Sequence, residues 1–195
     1  NKCCGFLDMA EIAKNGKKEW GDIVGSSEFK NRLLGESYVS EANQLIGRTI
    51  IVNVSRLLDD MRKQQATVKF KINEVKTDQA MASPVAYEML SAHVRRLVRT
   101  NKDKLEDSFV VESKDKMKLR VKPITLTRNK AKNSILTKIR MKTREYFSDF
   151  AGKNDFKNIL EGVMIGQIQK NLKNDLKKIY PISILEIRKI EVVNR

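Results

Sequence analysis

SFVVESKDKMKLRVKPITL, residues 108–126, reads as a β-hairpin. Two runs rich in Val, Phe and Leu, 108–113 and 117–126, flank the turn Lys114-Asp115-Lys116. On the second arm Met117, Leu119 and Val121 share one face, and Lys118, Arg120 and Lys122 share the other. That is the period of a half-buried strand. The three cations form a ladder with a rise of about 3.3 Å per residue. Pro123 removes a backbone donor, which predicts that the later part of the strand lies at a sheet edge.

The hairpin opens the most unbalanced stretch of charge in the chain. Lys114 to Arg144 holds twelve Lys or Arg (Lys114, Lys116, Lys118, Arg120, Lys122, Arg128, Lys130, Lys132, Lys138, Arg140, Lys142 and Arg144) and one acid, Asp115. It carries +11 of the formal net charge of +15, whereas residues 1–60 have eight bases against nine acids. A solvated helix interleaves Glu with Lys at i, i+4, because such pairs stabilise it. No such interleaving occurs here, so the twelve cations are the candidate contacts to a polyanion, and nucleic acid is the first choice. The residue types favour backbone and shape recognition over base readout: aromatics are 6% of the chain, and no strand carries a base-stacking aromatic pair of the kind single-strand RNA readers use.

Working outward, residues 129–150 predict a long helix. Its stripe is Ala131, Ile135, Ile139, Thr143, Tyr146 and Phe150, and it spans roughly 33 Å at about 1.5 Å per residue. Lys132 falls on that stripe and would have to snorkel outward. Residues 156–179 predict a second helical region, capped by Asn154 or Asp155 and kinked or split by Gly162 and Gly166. Tyr180-Pro181 ends it, and 182–193 is a final strand with a phase slip near Leu185–Ile187. Upstream, Ile50, Val52 and Val54 alternate with polar positions, as do Val68, Phe70 and Ile72. Ser83-Pro84 reads as a helix start, with Ala86, Leu90, Val94 and Leu97 as the stripe. Residues 1–44 read as an irregular N-terminal arm or extension, and 45–195 as a single α+β RNA-binding domain. Trp20 reads first as the anchor pinning that arm to the core, and second as a base-stacking residue. Strands and helices in runs predict an α+β fold with a mostly antiparallel sheet. The late return of the last strand predicts a closed or half-closed β-barrel with helices packed outside.

Several function classes are disfavoured. Cys3 and Cys4 with the lone His93 do not make a zinc shell, so no metal and no cofactor are expected, in a reducing, cytoplasmic setting. No apolar run approaches the roughly 18 residues of a membrane span, so no membrane is expected as partner; with one His and no Gly-rich phosphate loop, no small-molecule substrate is expected either. His93 reads as a core histidine. Glu74-Val75-Lys76, with Asp59 or Asp60 upstream, is a chance-level match to a metal-dependent nuclease core, and the chain is read as no enzyme. The start lacks an initiator Met, which suggests a trimmed chain.

Four ordered blocks resemble a known family. They are Lys18-Glu19-Trp20-Gly21-Asp22; Leu45-Ile46-Gly47-Arg48 with Val54-Ser55-Arg56-Leu57-Leu58; Thr127-Arg128-Asn129-Lys130 with Arg140-Met141-Lys142-Thr143-Arg144-Glu145; and Ile179-Tyr180-Pro181 with Ile187-Arg188-Lys189-Ile190. Together they are similar to the small-subunit ribosomal protein family of archaea and eukaryotes called S-three-A, or e-S-one. Gly21 stands where the family has an aromatic, residues 1–16 do not look like its Lys-rich start, and the shortness of the C-terminal end is closer to archaeal members. The resemblance implies a barrel-containing platform protein near the mRNA exit, holding ribosomal RNA beside other small-subunit proteins, with mRNA passing nearby. The competing reading is a free RNA- or DNA-binding regulatory or architectural protein.

Overall fold

The computed structural model describes residues 18–26, 31–76 and 79–193. The expectations for residues 1–16, including Cys3-Cys4, lie outside them. Nine strands join in a single sheet: β1 (Glu19–Gly25), β2 (Leu33–Val39), β3 (Thr49–Asn53), β4 (Ala66–Lys76), β5 (Gln79–Met89), β6 (Lys104–Glu106), β7 (Phe109–Glu112), β8 (Lys118–Thr127) and β9 (Ile182–Val192). Five α-helices accompany it: α1 (Val54–Leu58), α2 (Ser91–Leu97), α3 (Asn133–Lys153), α4 (Phe156–Ile165) and α5 (Gln167–Lys177).

The strand path runs β2-β1-β5-β9-β8-β6, with β4 and then β3 branching from β5, and β7 pairing with β8. Every pairing is antiparallel except β1 with β5. The fold is thus α+β and largely antiparallel, but among the described residues the pairing does not close into a barrel. The reason lies in where the last strand goes. β9 inserts between β5 and β8 and bridges two half-sheets instead of meeting the first strand.

Two prolines mark this architecture. β5 pairs with β4 along one edge, while its other edge is divided between β1 (Gln79–Ala82) and β9 (Ala86–Glu88). Pro84 falls in the gap between those partners, opposite a bulge at Lys69/Phe70. A residue with no amide donor is tolerated there. The expected helix start at Ser83-Pro84 is therefore wrong. Ala80, Ala82, Tyr87 and Met89 are buried in strand alternation, and the helix begins only at Ser91. Likewise β8 pairs with β9 along one edge and changes on the other from β7 (Lys118–Val121) to β6 (Ile124–Leu126). Pro123 occupies that changeover and a register shift against β9. It lies inside the sheet, not at its edge.

The stretch expected to be an irregular arm also differs. Residues 19–25 and 33–39 are strands of the same sheet, and Trp20 is 67% exposed instead of anchored in the core. The hairpin is as expected. β7 pairs with β8 in the register Glu112↔Lys118, and Lys116 supplies the left-handed turn residue at φ 58°.

Below the sheet, α5 packs on β9 and α3 on β7. α3 starts four residues later than expected. Its buried residues are Ile139, Thr143, Phe147 and Ala151, so Phe147 takes the place given to Tyr146. The late start also removes the conflict at Lys132, which precedes the first turn in extended conformation and is exposed. Gly166, at φ 90°, splits the second helical region into α4 and α5, and the Cβ that any other residue would carry there meets Lys63 Nζ at 3.2 Å. Ile159, Leu160, Val163, Ile168, Leu172 and Leu176 are buried as expected, whereas Ile179 is 39% exposed.

Ile190 on β9 is fully buried and pairs across to both Tyr87 and Val121. Ile190→Ala should cost about 2–5 kcal/mol of unfolding free energy, because the cavity opens at the seam of the two half-sheets. Urea unfolding followed by circular dichroism measures it.

Candidate nucleic-acid interface

The twelve cations occupy four segments. Lys114 and Lys116 sit in the hairpin turn; Lys118, Arg120 and Lys122 line the less buried face of β8; the rest lie in the 128–132 connection and on α3. The β8 ladder is as expected, since Leu119 and Val121 are buried between its members.

The 128–132 connection is held at four backbone points. Arg128 N–H donates to Pro181 O at 3.0 Å, and Ala131 N–H to Asp103 Oδ2 at 2.7 Å. Tyr180 Oη donates to Asn129 O at 3.4 Å and Lys130 O at 3.1 Å. Buried Thr127 anchors its entrance, with Asp103 N–H donating to Thr127 Oγ1 at 3.0 Å. Backbone fixed in this way presents Arg128, Lys130 and Lys132, all exposed, without prior ordering of the loop.

The lone acid of the run has a structural role. Asp115 Oδ2 accepts from Phe156 N–H at 3.3 Å, at the start of α4. Ser113 Oγ donates to Asn154 O at 2.8 Å, and Lys114 N–H to Ala151 O at 3.2 Å. The basic turn is thereby tied to the end of α3.

Five of the twelve cations meet carboxylates supplied from outside the run. Lys114 lies 4.0 Å from Asp155, Lys118 3.9 Å from Glu112, Arg120 3.5 Å from Glu191, and Lys142 3.5 Å from Glu145. These are long pairs, exposed except for the part-buried Arg120–Glu191, each worth about 0–1 kcal/mol, and they leave the cations available. Arg144 differs. Its Nε and Nη2 donate to Asp107 at 2.6 and 2.7 Å, a two-point clamp. The Arg144 guanidinium holds the Asp107 carboxyl below the usual carboxylate range, with smaller help from the Ser108 amide and from Arg140. On β9, Lys189 lies 2.6 Å from Glu191 and holds that carboxyl low as well.

Lys116, Lys122, Arg128, Lys130, Lys132, Lys138 and Arg140 have no ion pair within the chain among the described residues. Lys122 faces Lys189 directly across the β8–β9 ladder, and the Glu191 carboxylate, its pKa held low by both, screens the two like charges from each other. Sequence reasoning missed Lys189 and the partner acids. Glu112 was findable, because the hairpin register alone places it opposite Lys118. Asp107 and Glu191 were not, because they arrive through tertiary packing.

The two upstream acids of the nuclease-like match are used elsewhere. Asp59 pairs with Arg32, and Asp60 Oδ1 accepts from Arg62 N–H. Among the described residues no group of three or more His, Cys, Asp or Glu is placed to hold a metal. No helix of the described residues is long and apolar enough to cross a membrane. His93 is half-buried, its pKa lowered by burial and by Arg96.

The Ribosomal S3Ae family matches residues 10–195. The chain belongs to this family. Its relatives include three archaeal proteins named small ribosomal subunit protein eS1. That of Halorubrum lacusprofundi is 30% identical, covering 92% of this chain and 83% of its own length. That of Methanothrix thermoacetophila is 29% identical, covering 94% and 86%. The Nanoarchaeum equitans protein is 30% identical, covering 88% and 87%. Of the blocks that carried the resemblance, Gly47 takes φ 85° at the entry to β3, Val54–Leu58 is α1, and Arg140–Glu145 lies on α3.

The Asp107–Arg144 clamp gives a signed pH prediction. A carboxyl whose folded pKa is depressed stabilises the fold above its unfolded pKa, and that contribution fades as pH falls through the folded value. Asp107→Asn should therefore destabilise the protein at pH 7, and the gap to wild type should close as the pH drops below about 4. Chemical unfolding of both proteins from pH 7 to pH 2.5 tests this.

Proposed function

We propose that this chain is a structural constituent of the small ribosomal subunit, and that the face built from β8, the 128–132 connection and α3 holds ribosomal RNA by its phosphates. The observation that carries the reading is the combination of seven cations that have no ion pair among the described residues with a basic connection already fixed in shape. Lys116, Lys122, Arg128, Lys130, Lys132, Lys138 and Arg140 are the primary contacts. Lys114, Lys118, Arg120 and Lys142 exchange weak intrachain pairs for phosphate. Arg144 acts chiefly through Asp107, which it ties to α3. The role is structural and not enzymatic, within cytoplasmic ribosomes, and the names of the relatives support it. The platform near the mRNA exit is the location that the family resemblance implies, with other small-subunit proteins as neighbours.

A free regulator would stay at the top of a sucrose gradient. This protein should travel with the small subunit in high-salt buffer, and its absence there would refute the assignment.

Binding of the isolated protein to a fragment of small-subunit ribosomal RNA should weaken with salt at a log–log slope of at least about 5 to 6, from the seven primary contacts at about 0.7–0.9 each. Lys138→Ala or Arg140→Ala should lower that slope by about 1 without changing which RNA is preferred. Filter binding between 50 and 300 mM salt measures both.

A further inference from the structure

At the other end of the sheet from the basic hairpin, β1 and β2 pair in the register Trp20↔Tyr38 and Asp22↔Glu36. These four side chains share one face, two rings beside two carboxylates. Trp20 is 67% exposed and Tyr38 52%, with ring centroids 5.2 Å apart and planes tilted by 45°. Burying neither ring in a protein that has a single tryptophan leaves a large apolar surface in water. Like charges directly across a ladder are destabilising, yet neither Asp22 nor Glu36 has an ion pair among the described residues. Two arginines of the adjoining segments are occupied: Arg32 holds Asp59, and Arg48 donates to Ser37 Oγ at 3.1 Å. Beside Asp22 the face continues into a depression of about 370 Å³ lined by Val24, Leu33 and Met81. β2 is an edge strand, pairing only with β1 among the described residues.

We propose that this aromatic–acidic face docks an extended Lys/Arg-rich segment of a neighbouring protein, laid across the exposed face of β1 and β2. Charge selects the occupant. A phosphate chain would meet the two carboxylates and be repelled, whereas an ammonium or guanidinium gains both carboxylates and the ring faces of Trp20 and Tyr38. An extended segment presents alternate side chains to one face, which matches the two-residue spacing of the ring pair and the acid pair. Its apolar residues fit the depression. The chain would then hold RNA at one end of its sheet and a basic protein at the other. This inference stands apart from the phosphate face, because the isolated protein suffices to test it.

Trp20 reports on the site directly. The full chain is titrated, at about 50 mM salt, with a synthetic ten-residue peptide alternating Arg and Thr, and separately with oligouridylate. The expected result is a saturable change in tryptophan emission with the peptide and none with oligouridylate at equal concentration. Asp22→Asn combined with Glu36→Gln should raise the peptide Kd roughly three- to tenfold. Should that variant fold poorly by circular dichroism, the wild type decides instead, since its peptide Kd must rise steeply between 50 and 500 mM salt. An emission unmoved by the peptide, a stronger response to oligouridylate, or a peptide affinity indifferent to both the carboxylates and salt overturns the proposal.

Discussion

The backbone ladder of β9 is the interaction on which the rest of the structure depends. Strand Ile182–Val192 is bonded to β8 along nearly its whole length and to β5 at Ala86–Glu88. Without it, β1 to β5 and β6 to β8 are two half-sheets with no ladder between them. Ile187 and Ile190, both fully buried, supply the apolar seam. α5 then packs on β9, and Lys173 Nζ donates to Ser183 O at 2.6 Å on that strand. Even the basic connection depends on this region, because Pro181 and Tyr180, just before β9, hold Arg128 to Lys130 in place.

Charge on this protein is sorted by element and not merely accumulated. Asp115, the one acid in the basic run, accepts from the start of α4. The acids that reach the run from elsewhere do unequal work. The long pairs at 3.5–4.0 Å exchange readily with water and salt, whereas the Asp107–Arg144 clamp fixes the segment between β6 and β7 against α3. Three of the cations left over, Arg128, Lys130 and Lys132, sit where the backbone is held by hydrogen bonds with Tyr180, Pro181 and Asp103. At the opposite end of the sheet Asp22 and Glu36 stand side by side across β1 and β2.

How much of this was legible depended on whether local period and tertiary context agreed. β4, the β7–β8 hairpin, the α4–α5 break and β9 were readable, because Val68, Phe70 and Ile72, or Leu160, Val163 and Leu172, repeat at the period of the element they form. β5 was misread because Ser83-Pro84 imitates a helix start, and only the gap between β1 and β9 makes Pro84 acceptable in a strand. Pro123 misled for the same reason. β1 and β2 were missed because Gly21, Gly25 and Gly35 weaken their pattern; at Gly35 a Cβ would meet Ile50 Cδ1 at 2.8 Å, a crowding invisible from neighbours in sequence. In the candidate site the cations were legible, since charge composition survives any fold. Their neutralisation by Asp107 and Glu191 was not, since those pairs exist only after distant segments meet.

The placement of β9 also constrains the order of folding. It emerges from the synthesising ribosome after every other described strand, and its partners in β5 lie about a hundred residues earlier. Until then the facing edges of β5 and β8 are open templates for strangers. A topology joined so late has high contact order and should cross its main barrier only after β9 is available. Nascent chains stalled before Ile182 are accordingly the form most exposed to aggregation, and the one in greatest need of a chaperone.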